Sequence, residues 1–164
     1  MDGDDVDAIV AAWHRERPDL DLQPLEVLSR VTRLARHLDQ ARGQAFDAHD
    51  LDSWEFDVLA ALRRAGIPYS LSPGQLATQT LVTSGTMTNR VDRLVERGLV
   101  ERSPDPRDRR GVRVQLTAAG RIAVDGAFTD LLSREHVLLE GLDDDDRREL
   151  AALLGTLMGQ FTPR

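Results

Sequence analysis

The most constraining feature of the chain is the order of local signals across residues 72–116: a short helix, a tight turn, a second helix, then a two-stranded hairpin closed by a cluster of arginines from Arg107 to Arg113. That order places one helix in the major groove of DNA and a wing on the backbone beside it. Few other functions call for both parts in succession.

The signals are chemical as well as periodic. Ser72, Pro73 and Gln75 form a helix start, with a hydroxyl cap, a proline at the first helical position and a glutamine where a capping box needs it. Leu76 and Ala77 are its inward residues, and the helix fades at Thr80. Thr83 caps a longer helix whose apolar residues, Met87, Val91, Leu94 and Val95, fall at 0, +4, +7 and +8 on one narrow stripe. Gly98 is placed to end it. The outward positions include Ser84, Thr86, Thr88, Asn89 and Arg93. Small hydroxyls and an amide at a helix N-terminus can approach phosphates and base edges.

After Gly98 the apolar period changes from 3.6 to 2. Residues 99–102 and 112–116 alternate as strands. Between them, residues 103–111 hold two prolines, a glycine and alternating charges, which predicts a loop. One reading is a solvated turn whose acids and arginines pair with one another. The adjacent helix pair favours a DNA-facing wing, with Arg107, Arg109 and Arg110 at its tip. Asp108 then organises one arginine while another, such as Arg109, enters a narrow minor groove.

From Leu71 to Gly120 the sequence resembles the winged-helix core of MarR-type bacterial transcription regulators. Asp108, Arg109 and Arg110, with the strand and the run from Leu116 to Gly120 that follow, are the most specific part of the likeness. The resemblance extends over most of the chain. It implies a mainly α fold with a small β hairpin, in which a winged helix-turn-helix is flanked by N- and C-terminal dimerisation helices.

Composition is compatible with that architecture. A chain of 164 residues is long enough to bury one real core. It has no cysteine, so disulfide or thiol switching is unavailable. No apolar run reaches membrane-spanning length and the acidic start is unlike a signal peptide, which predicts a cytoplasmic protein with no membrane partner. The net charge of −7 looks unsuited to DNA, but residues 72–116 carry eight arginines against five acids. Distribution, rather than the sum, decides where nucleic acid can bind.

The flanks read as helices. Residues 24–46 place Leu25, Leu28, Val31, Leu34, Ala35 and Leu38 inward, and residues 51–64 carry Trp54, Val58, Leu59 and Leu62. Thr117 caps a long helix that includes Leu131, Leu132, Leu138 and Leu139. Asp143 starts a last one, with Leu150, Leu153, Leu154, Leu157, Met158 and Phe161 on one stripe. The organisation expected is N-terminal helices over 1–50, the winged helix over 51–116 and C-terminal helices over 117–164. The last stripe predicts a homodimer, the usual form of a symmetric DNA reader; packing within one chain is the alternative. The run Asp143–Asp146 suits a helix N-terminus, and no metal site is expected there.

Before Pro18, Val6, Ile9, Val10 and Trp13 mark an extra amphipathic helix over residues 4–17. Together with residues 54–59, this extension resembles the urate-responsive, PecS-like branch of the family. The resemblance implies a purine effector held by Trp13, Asp57, Arg90 and Arg102. The chemistry is reasonable for a planar anion: an indole offers a flat face, guanidiniums offer paired donors and a carboxylate accepts ring N–H. As an acid beside an apolar stripe, Asp57 is expected to need a partner. A strand arginine at 102 could equally touch phosphate, and Arg90 could be a DNA contact.

The whole predicts a dimeric repressor without cofactor that binds double-stranded DNA at a pseudo-palindrome and is released by urate or a related purine. A phenolic or other aromatic acid is the alternative effector. A metal-sensing regulator built on His49 with Asp47, Asp50 or Asp52 is a further one, although His49 reads better as a surface residue. Four scattered histidines and the lack of a phosphate-binding loop argue against an enzyme.

Overall fold

A computed structural model describes residues 4–106 and 108–161, apart from the side chains of Arg109 and Arg110. The chain divides into two compact units, residues 1–43 and 44–164.

In the first unit, α1 (Asp5–Glu16) starts at the Asp4 cap, whose carboxylate accepts from the Val6 and Asp7 N–H groups at 2.9 and 3.1 Å. Asp7 returns the bond to the Asp4 N–H at 2.9 Å, completing a capping box. The helix α2 (Gln23–Asp47) begins in this unit. Charge stitches the two helices together: Arg30 reaches Asp4 at 2.8 Å and Asp7 at 2.7 Å, and Arg33 reaches Asp5 at 2.7 Å. The Arg30 guanidinium holds the Asp4 carboxyl below its ordinary pKa of 3.8. Val6 is buried, whereas Val27, Leu28, Val31 and Leu34 of α2 are exposed.

The second unit takes in the last turn of α2, where Ala45 and Phe46 are buried. It continues with α3 (Ser53–Arg64), β1 (Ser70–Leu71), α4 (Pro73–Gln79), α5 (Ser84–Glu96), β2 (Val100–Asp105), β3 (Asp108–Leu116), α6 (Ala118–Leu138), α7 (Asp144–Met158) and a 3-10 turn over Gly159–Phe161. The expected caps are present: Ser72 accepts from the Gln75 N–H, Thr83 from Thr86, Thr117 from Gly120 and Asp143 from Asp145 and Asp146. The Phe46 and Phe56 rings stack with centroids 4.2 Å apart. Around them the core draws Leu59 and Leu62 from α3, Leu76 from α4, Met87, Val91 and Leu94 from α5, Val100 and Val114 from the sheet, and Val124 and Leu131 from α6. Val95, placed on the buried stripe by its spacing, is instead exposed.

The sheet is antiparallel in the order β1-β3-β2. Its strands run further toward the tip than alternation predicts. Pro104 pairs opposite Val112 and Asp105 opposite Asp108, with a register irregularity between Pro104 and Asp105. Most of the expected 103–111 loop is therefore strand. Pro104 is tolerated because β2 is an edge strand, where a missing N–H need not break a ladder. At the other end of the wing, Gly120 lies so close to β2 that a Cβ there would stand 2.0 Å from the Leu99 carbonyl oxygen.

The terminal helix α7 buries none of its residues. Leu153, Leu154, Leu157, Met158 and Phe161 are all exposed.

Candidate nucleic-acid interface and effector residues

The helix α5 is oriented by its buried stripe of Met87, Val91 and Leu94, each fully inaccessible. This leaves Ser84, Thr86, Thr88 and Asn89 exposed at its N-terminal end. Two of the hydroxyls are already engaged: Thr86 Oγ1 lies 3.0 Å from Thr83 Oγ1, and Thr88 donates to the Ser84 carbonyl at 3.0 Å. Both keep lone pairs that can accept.

Arg90, Arg93 and Arg97 recur at 0, +3 and +7 and form a ridge along one flank of α5. The ridge meets the start of α3. Arg90 lies 5.4 Å and Arg93 4.8 Å from the centroid of the Trp54 ring. Arg93 also comes within 3.8 Å of Asp52, and the Trp54 Nε1–H donates to Asp52 Oδ2 at 3.0 Å. Arg97 donates to the buried Glu55 carboxylate, and at 2.6 Å to both the main-chain carbonyl and the carboxylate of Asp50. Glu55 is only 1% exposed and also accepts the Asp52 N–H at 2.9 Å. This buried carboxylate, ahead of the other contacts, raises the pKa of Arg97 above its ordinary value.

The partners of this ridge were not legible in sequence. Periodicity assigns Trp54 to the α3 core stripe, whereas its half-buried indole carries two guanidiniums on the rim of that core. Glu55 at the third helical position was a capping-box signal that could have been found.

The other flank of α5 faces the wing. Arg102 of β2 donates to Asp92 of α5 at 2.5 Å. Asp92 was missed because an acid on a DNA-reading helix looks like a defect until its partner is known. Behind it, Arg113 of β3 ties the sheet together, donating to Ser70 Oγ at 3.1 Å and to the Ser70 carbonyl at 2.6 Å. Arg107 lies outside the described residues, as do the side chains of Arg109 and Arg110, so the expected tip contacts have no placement here.

Of the four residues that the resemblance assigns to an effector, Trp13 sits half exposed on α1 in the first unit. Asp57 is exposed on α3. It projects from the solvent side of the helix, between the buried Phe56 and Val58. Arg90 rests against Trp54 and Arg102 against Asp92, on opposite flanks of α5.

His49 is not the surface residue expected. Its Nε2 lies 2.7 Å from Asp130 Oδ2 of α6, and its ring packs on Gly126. The nearby acids Asp50 and Asp52 serve Arg97, Trp54 and Arg93. No group of three potential ligands among the described residues could hold a metal ion.

A short helix, a turn and a capped, outward-facing second helix, followed by an antiparallel wing, define a winged helix-turn-helix DNA-binding protein. A MarR-family profile matches residues 49–111. The transcriptional regulator PecS of Dickeya dadantii is 36% identical over 92% of this chain and 91% of its own. The repressor NicR of Pseudomonas putida is 37% identical over 82% and 86%. MarR of E. coli, solved in complex with operator DNA, superposes with a TM-score of 0.68 at 27% identity, over 84% of this chain and 97% of that one. BpsR of Bordetella bronchiseptica, whose DNA binding is regulated by 6-hydroxynicotinic acid, superposes at 0.64 with 29% identity, over 80% and 91%. The chain belongs to the MarR family of transcription regulators. Its relatives are regulators rather than enzymes, and no helix among the described residues is long and apolar enough to cross a membrane.

Proposed function

We propose that the protein is a homodimeric repressor whose α5 helices and wings read a pseudo-palindromic operator, and that urate or a related purine releases it. The carrying observation is the double engagement of α5, by Trp54 on one flank and by the wing through Asp92–Arg102 on the other. Any ligand that recruits Arg90 and Arg102 acts directly on the pose of the reading helix.

Ser84, Thr86, Thr88, Asn89 and Arg93 supply the groove contacts, and Arg107, Arg109 and Arg110 the wing contacts. The half-sites lie roughly 10 base pairs apart, centre to centre. The exposed apolar faces of α2 and α7 support a two-fold partner. Light scattering on Leu154→Glu tests this: a shift from dimer to monomer is expected.

Trp13 and Asp57 complete the effector set with Arg90 and Arg102. A purine that binds the DNA-incompatible state more tightly shifts the population toward it. Titration of Trp13 fluorescence with urate, in a Trp54→Phe background, tests the assignment. Saturable quenching that is lost in Arg102→Ala is expected. Equal urate sensitivity in a Trp13→Ala, Asp57→Ala double variant would overturn it.

One observation favours an aromatic acid as the alternative effector. Between α3 and α6 lies a largely apolar cavity of about 150 Å³, lined by Phe56, Ala60, Arg63, Val124, Asp125 and Phe128. A cavity of that order holds a benzene-sized ring. Arg63 at its edge donates to Asp125 at 2.8 Å and could exchange that carboxylate for a ligand's. Calorimetry with 6-hydroxynicotinate decides: binding that disappears in Arg63→Ala, alongside no response to urate, would select this site.

A further inference from the structure

We propose that Trp54 is a positioning residue for operator reading, its indole forming the seat that sets where Arg90 and Arg93 of α5 point. The inference rests on the assignment of α5 as the reading helix and adds a residue outside that helix to its specificity.

The seat is itself held in place. Its Nε1–H is tied to Asp52 at 3.0 Å, and the same carboxylate lies 3.8 Å from Arg93. One turn along α5, the Arg97–Glu55 contact anchors the same two helices through a buried carboxylate. The spacing between indole and arginines is thus set by an anchor whose carboxylate end, Glu55, is closed to solvent.

These interactions add little to folding. The Arg93 and Asp52 side chains are each 62% exposed, and ion pairs that open to water are worth little. Their effect is to reduce the rotamers open to two long side chains before DNA arrives, so that less conformational entropy is lost on binding. Both arginines share one plate, so its removal frees both. The charge delivered to phosphates does not change, and the salt dependence of binding, which follows the number of phosphates neutralised, stays the same.

The test uses the full chain and a duplex that the protein itself selects from a random pool, with a scrambled duplex as control, read by fluorescence anisotropy. Trp54→Leu removes the aromatic face and keeps apolar bulk, whereas Trp54→Phe keeps a face. Because neither arginine then has an aromatic ring beneath it, Trp54→Leu is expected to bind the selected duplex about 5- to 30-fold more weakly. Scrambled binding and the salt slope stay near parental values, and Trp54→Phe recovers most of the affinity. Undiminished or tighter binding by Trp54→Leu overturns the proposal, as does equal loss on both duplexes or failure of Trp54→Phe to rescue.

A second readout does not depend on the folding of Trp54→Leu. In Trp13→Phe protein, Trp54 is the sole indole, since the chain has two. Its emission is expected to shift when Arg90 and Arg93 become Gln, and an unchanged spectrum overturns the stacking. If the parent protein selects no sequence, the reading role of α5 fails, and the role of Trp54 fails with it.

Discussion

Asp92 of α5 accepts a hydrogen bond from Arg102 of β2 at 2.5 Å, so the reading helix and the base of the wing are joined by an ion pair across their exposed flank. The side chains are 45% and 38% accessible, so the pair adds little to stability, and its contribution is to link α5 to the wing. Asp92→Asn is therefore expected to leave thermal stability within about 1 kcal/mol of parental. It loosens the wing and removes one negative charge from the reading face. Binding to unrelated DNA rises while preference for the selected operator falls, and anisotropy on the two duplexes measures that ratio.

The anchor below the arginine ridge behaves differently, because Glu55 has no access to water. Among the described residues, Arg97→Ala leaves a buried carboxylate with only the Asp52 N–H as partner. Removing one member of such a pair costs about 3 kcal/mol. Glu55→Gln keeps that N–H bond and is expected to cost less, and denaturant unfolding of the two variants gives the order.

Gly120 sits where α6 begins against the wing. Because a Cβ would stand 2.0 Å from the Leu99 carbonyl oxygen and 3.2 Å from Leu116 Cδ2, Gly120→Ala must push the helix start away from β2. Overpacking of this kind costs about 1–3 kcal/mol. Chemical denaturation reads the loss, and unchanged stability would mean that α6 can slide.

The contact between α1 and α2 is expected to be acid-sensitive. Arg30 holds the Asp4 carboxyl below its ordinary 3.8, so the native state keeps the charged form at a pH where the unfolded chain has begun to take up a proton. The associated stability is complete above that ordinary value and is lost as pH falls through the depressed one. NMR chemical shifts of the α1 backbone, followed through acid titration, are expected to leave helical values only below the ordinary carboxylate range. Arg30→Gln moves that transition to higher pH.

Much of this architecture is written locally. The caps at Ser72, Thr83, Thr117 and Asp143 were legible because a side-chain oxygen meets N–H groups two or three residues away, which depends on sequence separation alone. The period change after Gly98 announced the wing for the same reason. The strand β1 was not legible: two residues carry no periodicity, and Ser70–Leu71 is a strand only because β3 pairs with it. The tip of the wing misled because proline and charge usually mark loops, whereas an edge strand accepts both.

What the sequence determined by itself is the helices and the two wing strands, their order and most of the buried stripes of α3 and α5, since helix caps, turns and apolar periods act over a few residues. Only the tertiary structure decided the partners of the charges. Arg90 and Arg93 go to Trp54 and Asp52, Arg97 to Glu55, Arg102 to Asp92 and His49 to Asp130. A guanidinium can satisfy itself with any carboxylate or aromatic face within reach, so composition leaves many pairings open. One is selected when core packing brings two helix flanks, or a helix and a strand, to hydrogen-bonding distance.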